Sequence, residues 1–254
     1  MNDSEECMKY LLCGDFHGFG IPALERVLCE IKPDVVCCTG DFDRVETILQ
    51  YKEIEQRLRT EGVRVFNVPG NHDHAHRNGL DLISKNIDAL GRTSEQLRKE
   101  LEENPIAGSY IDQLLTQYEH RFYIDADKYA DSFSVILIHG GLHAEALSAA
   151  AGRFPSETRR LWYRFASKYD HLINFCAMEE EGVNIMLRGH DHEPAFAQRT
   201  ETGTFVFPSV EGNSFPLHRG KFYTITHGAM KEGFHVVIDT AEEVPVVSFC
   251  KLDS

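Results

Sequence analysis

The sequence predicts an α/β fold, and three observations predict it. Short apolar runs alternate with stretches of helical period from Lys9 to Val68. Each run ends in a glycine-bearing turn that carries Asp, Asn or His. The last quarter changes to short strands with close turns, which predicts an antiparallel meander beside the parallel part.

Lys9–Gly14 reads as the first strand, and the loop Asp15–Gly20 follows it. Ile21, Leu24, Val27, Leu28 and Ile31 recur at helical spacing, with Pro22 suited to the first turn. Pro33-Asp34 breaks that helix, and Val35–Thr39 is a second buried strand ending in Gly40-Asp41. A second helix presents Val45, Ile48, Leu49, Ile54 and Leu58 inward and stops at Gly62. Val63–Val68 is the third strand and delivers Gly70-Asn71-His72-Asp73. This rhythm predicts right-handed parallel crossovers, whose ligands sit beyond the carboxyl ends of the strands.

The rhythm stops at Ala75. Residues 75–131 are polar and read as mostly helical: Thr93 with Gln96 forms a capping box ahead of Ser94–Glu103, Asn104-Pro105 ends that helix, and Ile111, Leu114, Leu115 and Tyr118 mark another. No Gly/Ser-rich linker flanks the stretch, so it is expected to be an inserted helical cap or subdomain within a single domain spanning 1–254. Ser134–Ile138 is a fourth strand, ending in His139-Gly140-Gly141. A helix is expected with Leu161, Phe165, Tyr169, Leu172 and Cys176 on one face. Val183–Leu187 is a fifth strand and leads to Gly189-His190-Asp191-His192. Pro194–Arg199, Thr204–Phe207, Lys221–Thr226, Phe234–Asp239 and Val244–Cys250 make up the meander.

The chain has 254 residues, enough for a sizeable core, and a formal net charge of −14. That balance argues against a nucleic-acid-binding surface or an anionic membrane partner, both of which need clustered Lys and Arg. No apolar run approaches the ~18 residues of a membrane span. Met1–Lys9 is acidic and polar, unlike a signal peptide. The 7 Cys include no Cys-x-x-Cys pair, and Cys13, Cys37 and Cys38 sit in apolar runs as small hydrophobes. Reduced thiols and the absence of targeting signals predict a cytoplasmic protein.

The chemistry lies at the five junctions. Asp15 and His17 stand at i and i+2, one face of an extended chain, so one ion can take both. Asp41 has two oxygens and can bridge two ions. Asn71 offers an amide oxygen; His139, His190 and His192 offer imidazole nitrogens. A His/carboxylate/amide set without thiolate suits Mn²⁺, Fe²⁺, Co²⁺, Ni²⁺ or Zn²⁺. Seven ligands exceed one tetrahedral ion and suit two ions roughly 3.5–4 Å apart, the arrangement that polarises a phosphoryl group. His72 is then left over as a general acid or phosphate contact, with Asp43, Asp73 or another nearby carboxylate to orient it.

The ordered series Gly14-Asp15-x-His17, Gly40-Asp41, Gly70-Asn71-His72-Asp73, His139-Gly140 and Gly189-His190-x-His192 resembles the calcineurin-like metallophosphoesterase superfamily. The resemblance implies a four-layer α/β/β/α sandwich of two mixed sheets with a dinuclear metal centre at its edge, Mn²⁺ being the first expectation. It implies one ion on Asp15, His17, Asp41 and His192, a second on Asp41, Asn71, His139 and His190, and His72 as the catalytic histidine. It also implies direct attack of a metal-activated hydroxide on phosphorus. The closing motif is similar to that of small bacterial and archaeal phosphodiesterases, and Val206-Phe207-Pro208-Ser209-Val210 resembles a worn form of their Asn-Pro-Gly-Ser strand. His139-Gly140-Gly141-Leu142 instead resembles the protein phosphatase and dinucleoside tetraphosphatase branch, where an Asp-Arg pair follows the bridging Asp; here Asp43-Arg44 comes one position sooner.

The expected function is therefore metal-dependent hydrolysis of a phosphodiester or small phosphorylated metabolite. A phosphomonoesterase or dinucleoside polyphosphatase is the alternative. A non-enzymatic binding scaffold of the same fold, like retromer-type relatives, would lack the histidine or several ligands, whereas every position is filled here. Candidate substrate contacts are Arg44, Asp73, His74, Arg160 and Arg164. Arg160 and Arg164, with Lys168 and near Arg153 and Arg159, are expected on one helix face, either as a basic lip or as a solvated face paired with acids. The stretch 75–131 is a candidate contact for a homo-oligomer.

Overall fold

Among the described residues, twelve strands form two six-stranded mixed sheets. The structure is a computed structural model that describes residues 7–79, 93–124, 132–143, 156–207, 210–241 and 243–253. Arg153, Pro208-Ser209 and parts of the 75–131 stretch lie outside the described residues.

In chain order the strands are β1 (Lys9–Cys13), β2 (Val35–Cys38), β3 (Arg64–Asn67), β4 (Glu119–Ile124), β5 (Phe133–Ile138), β6 (Ile185–Arg188), β7 (Pro194–Thr200), β8 (Gly203–Phe207), β9 (Ser214–Pro216), β10 (Phe222–His227), β11 (Phe234–Asp239) and β12 (Val246–Lys251). The helices are α1 (Ile21–Ile31), α2 (Val45–Thr60), α3 (Asn71–Asn78), α4 (Ser94–Glu103), α5 (Pro105–Leu114), α6 (Ser156–Arg159) and α7 (Lys168–Glu180). The first sheet runs β3-β2-β1-β11-β12-β9 and the second β4-β5-β6-β10-β7-β8. β1, β2 and β3 pair in parallel, as do β5, β6 and β10. Central strands covered on both faces read as continuous apolar runs, which is why β2 is Val-Val-Cys-Cys throughout.

Alternate residues of each strand face two different cores. Tyr10, Leu12, Val35 and Cys37 of the first sheet meet Val135, Leu137, Ile185 and Leu187 of the second between the sheets. Leu11, Cys13, Val36 and Cys38 face outward onto α1, α2 and α5. Ile136, Ile138 and Met186 face outward onto Phe175 and Met178 of α7. The result is the four-layer α/β/β/α sandwich. Each such fully buried aliphatic side chain contributes roughly 1.5–3 kcal/mol. All seven Cys are free, with Cys13, Cys37 and Cys38 buried.

Three expectations change. The last strands form no single meander: β7, β8 and β10 join the second sheet, while β9, β11 and β12 join the first. Tertiary pairing decides this, since β10 runs parallel to β6 although the intervening chain is short-stranded. Two strands went unforeseen. β4 is the edge strand of the second sheet inside the stretch expected to be mostly helical, and the three-residue β9 is too short to carry a period. The helix expected across Leu161–Cys176 starts only at Lys168, after the Ser167 capping box. Its buried face is His171, Asn174, Phe175 and Met178, whereas Tyr169 is 67% and Leu172 40% exposed. Arg160 therefore sits in a 3₁₀ turn, Arg164 in a loop and Lys168 at the helix start, so they share no helix face. Thr93 and Gln96 do form the capping box of α4, and Asn104 ends α4 while capping α5.

Candidate metal centre

Five loops leave the carboxyl ends of β1, β2, β3, β5 and β6 and bring their polar cargo together. His17 Nε2 lies 2.8 Å from His192 Nε2 and 3.9 Å from oxygens of both Asp15 and Asp41. His192 Nε2 is 3.6 Å from Asp15 Oδ1. These four residues offer ligand atoms all within 4.8 Å of one another. A second group stands beside the first. His139 Nε2 and His190 Nδ1 each approach Asn71 Oδ1 at 2.8 Å, and His139 Nε2 is 3.4 Å from Asp41 Oδ2. Asp41 belongs to both groups.

The backbone is bent to make this possible. Among the described non-glycine residues with positive φ, Asp15, His17, Asp41, Asp43, His190 and His192 all belong to these loops; the remaining one, Lys32, is a helix end. Residues held in this sparsely populated region cluster where function needs them. Asp15 and His17 thus converge through left-handed turns rather than along an extended chain. Gly70 is required by close approach: a Cβ there would overlap the Asp41 carboxylate.

The residues fit divalent cations on several grounds. His17 Nδ1–H donates to Asp43 Oδ2 at 2.7 Å, and His139 Nδ1–H to the Thr39 carbonyl at 2.7 Å. With Nδ1–H so committed, Nε2 of both rings faces the cluster; burial lowers the pKa of His139 but the Asp41 carboxylate outweighs it and raises it to about 9, so a bound cation would take the place of the Nε2 proton. Asp41 Oδ2 is buried with no hydrogen-bond partner. Asp15, Asp41, Asp43 and Asp73 are each at most 5% exposed, a density of buried negative charge that calls for a cation. Burial, followed by the imidazolium of His139, holds His190 well below the ordinary histidine range, and burial with His17 takes His192 down to about 4. Both are thus in the neutral form that ligates metal. Burial opposes ionisation of Asp41, yet His139 and His72 hold its carboxyl below the usual range.

His72 stands at the edge of this cluster with 27% of its side chain exposed. Its backbone N–H donates to Asp41 Oδ1 at 2.9 Å, and its Nδ1–H donates to Asp43 Oδ1 at 2.9 Å. Burial lowers its pKa, but the carboxylates of Asp41 and Asp43 outweigh that and push it to about 10. Of the orienting carboxylates considered, it is Asp43 that touches the ring.

The candidate substrate contacts fare differently. Arg44 is half-buried over the Phe19 ring at 4.6 Å, against Gly18 and beside the His17 loop, with no ion-pair partner among the described residues. Asp73 is not at the mouth: its buried carboxylate accepts the backbone N–H groups of Asp41, Phe42 and Gly70 at 2.8, 3.0 and 2.9 Å, clamping two loops together. His74 is 7% exposed in α3, its Nδ1 unpartnered. Arg160 is directed at Glu119 and Glu181, at 2.9 and 3.6 Å. Arg164 lies 3.6 Å from Asp191.

Four supporting residues escaped sequence reasoning. His76 Nε2 lies 2.9 Å from Asp43 Oδ1; its spacing of four from His72 in a helix was the available signal. His227, fully buried, contacts Thr39 Oγ1 at 2.7 Å and lies 3.5 Å from Asp15. Arg188, 0% exposed, pairs with Asp191, donates to the Gly140 and Tyr163 carbonyls and stacks on Phe165, fixing the loop between His190 and His192. Asn174 Oδ1 accepts the N–H groups of Leu142 and His143 at 2.8 and 3.3 Å, which holds the loop after His139.

A two-sheet sandwich with a buried Asp/His cluster at its strand ends defines a metal-dependent hydrolase. The family model of calcineurin-like phosphoesterases matches residues 8–194, and the chain belongs to that family, whose members hydrolyse phosphate esters. No curated protein matches the chain in sequence. Among solved structures it resembles a metallophosphoesterase from Sphaerobacter thermophilus (18% identity, 98% of this chain and 89% of that one, TM-score 0.63). It also resembles a hypothetical protein from Pyrococcus horikoshii OT3 (12% identity, 96% and 88%, TM-score 0.59). A cold-active protein tyrosine phosphatase shares the fold as well (16% identity, 94% and 77%, TM-score 0.54). No helix among the described residues is long and apolar enough to cross a membrane.

Proposed function

We propose that the chain is a phosphodiesterase of small phosphorylated substrates that works with two divalent ions, Mn²⁺ first among them and Fe, Zn, Ni or Co as alternatives. Asp15, His17, Asp41 and His192 would hold one ion, and Asp41, Asn71, His139 and His190 the other. The observation that carries this reading is the unpartnered Asp41 Oδ2, buried between the two ligand groups. When bound, such ions supply Lewis acidity toward the phosphoryl oxygens and make a water acidic enough to be the nucleophile. His72 has Nδ1–H committed to Asp43, which leaves Nε2 to give its proton to the departing alkoxide. Arg44, with no carboxylate partner among the described residues, would meet a non-bridging phosphate oxygen.

The rest of the reading is coarser. Segment 75–131 would border the site, and analytical ultracentrifugation of the whole chain decides whether it also joins copies. Seven free thiols, three of them buried, support a reducing, cytoplasmic setting. One variant tests the chemistry. His72→Ala should retain both metals and lose about 10²–10⁴-fold in turnover of an alkyl phosphodiester; unchanged turnover would refute the assignment. A second reading, as a phosphomonoesterase or dinucleoside polyphosphatase, rests on His139-Gly140-Gly141-Leu142, which resembles that branch, while Asp43-Arg44 departs from its spacing. A panel of diesters, monoesters and dinucleoside polyphosphates with Mn²⁺ separates the two.

A further inference from the structure

Three imidazoles meet on Asp43. Its Oδ2 accepts from His17 Nδ1 at 2.7 Å, and its Oδ1 lies 2.9 Å from both His72 Nδ1 and His76 Nε2. The chain of contacts continues outward, because His76 Nδ1 is 3.2 Å from Ser94 Oγ, the first residue of α4. His76 and Ser94 are 8% and 3% exposed. The donors follow from the chemistry: a carboxylate only accepts, so His76 Nε2–H donates to Asp43. A neutral His76 then has only an acceptor at Nδ1, which the Ser94 hydroxyl fills. The donors and acceptors along the path from Ser94 to His72 are thereby assigned.

Neither His76 nor Ser94 is needed to complete either ligand group. Their effect falls on Asp43. Without the His76 donor, Oδ1 keeps one of these imidazoles instead of two, which leaves the carboxylate, and His72 with it, freer to rock. A second donor on Oδ1, from the residue one helical turn beyond His72, fixes that oxygen in place. We infer that His76 and Ser94 are positioning residues that set the orientation of His72 through Asp43, so that α4, part of the segment following the third strand, supports the reacting end of the site. This rests on the proposed role of His72 as proton donor to the leaving group.

The experiment compares the wild type with His76→Ala, His76→Gln and Ser94→Ala, using Mn²⁺-loaded full-length chain. Phosphodiesters with a good aryl leaving group and with a poor alkyl one serve as substrates. His76→Ala should lower kcat for the alkyl ester by about 10-fold or more and barely change it for the aryl ester, because only a poor leaving group needs the proton. KM and bound Mn²⁺ should stay as in the wild type. His76→Gln, which keeps an N–H donor, should recover most of the rate, and Ser94→Ala should lose about 3-fold with the same leaving-group dependence. In a His72→Ala background, His76→Ala should cost nothing further. Equal losses on both esters, an additive double mutant or lost metal would overturn the inference and reduce His76 to packing. In the full-length chain loaded with diamagnetic Zn²⁺ instead, a ring N–H resonance, assigned to His72 by its loss in His72→Ala, gives a readout without turnover. A shift of that signal in His76→Ala supports the positioning role, and an unmoved signal overturns it. A wild type that hydrolyses no ester refutes the phosphoesterase chemistry, while the resonance still decides the role of His76.

Discussion

The two sheets contribute unlike halves to one site. β1, β2 and β3 of the first sheet supply every carboxylate of the ligand groups, with His17, Asn71 and His72; β5 and β6 of the second supply His139, His190 and His192. On the first side the functional carboxylates also hold the loops. Asp41 accepts the His72 N–H, Asp43 accepts three imidazoles, and Asp73 clamps three backbone N–H groups. On the second side that work falls to residues outside the ligand set, the buried Arg188–Asp191 pair and Asn174. The carboxylate half is therefore charge-dense and needs cations, while the imidazole half is built to stand without them.

The comparison can be broken on the carboxylate side first. Asp41→Asn removes the one side chain common to both ligand groups, and should abolish stable binding of divalent metal, read by elemental analysis of purified protein, together with hydrolysis. Its metal-free form should also lose some stability, because His139 and His72 hold the Asp41 carboxyl below its usual range and Asn removes the charge they pair with. Arg188→Met acts on the other half. It strands Asp191 without its partner inside the imidazole half and should cost about 3–5 kcal/mol in chemical denaturation.

Acid reaches the imidazole half by a different path. His171 of α7 is buried against Thr224, at 2.8 Å, and burial with the neighbouring Arg188 charge lowers its pKa to about 4. The unfolded chain takes up that proton near pH 6.5, so between about 6.5 and 4 it binds more protons than the folded chain. Stability from this group is complete at neutral pH and declines as pH falls through that window, by on the order of 2–3 kcal/mol. His171→Gln should flatten this part of the pH–stability curve; a curve parallel to the wild type would show that His171 does not contribute.

Much of this was legible in the sequence, for reasons that can be stated. β1, β2, β5 and β6 are near-continuous apolar runs followed closely by glycine, and burial on both faces writes that pattern directly, while the edge strand β3 mixes Arg64 and Asn67 into its run. The residues of the candidate metal centre were legible because each follows the end of such a run. What the pattern lacked was partner choice. β10 could be placed beside β6 only by knowing which edge was open, and β9 is too short for any period. His76 and Arg188 are polar residues serving other polar residues, and hydrophobic periodicity carries no sign of them.

Helix α7 makes the sharpest case, and also the smallest expected effect. Its apolar stripe Tyr169, Leu172 and Cys176 looks like a core face, yet all three are exposed. The inward face instead carries His171 and Asn174, because the loop after His139 needs an acceptor for two backbone N–H groups. Asn174→Leu would improve the apparent amphipathicity and should nonetheless cost about 1–3 kcal/mol, since two buried donors lose their acceptor. Leu172→Ser would worsen it and should change stability by less than about 0.5 kcal/mol. Denaturation midpoints of the two variants decide the matter: a larger loss in Leu172→Ser would mean that the stripe is covered by something in solution and that periodicity had read α7 correctly.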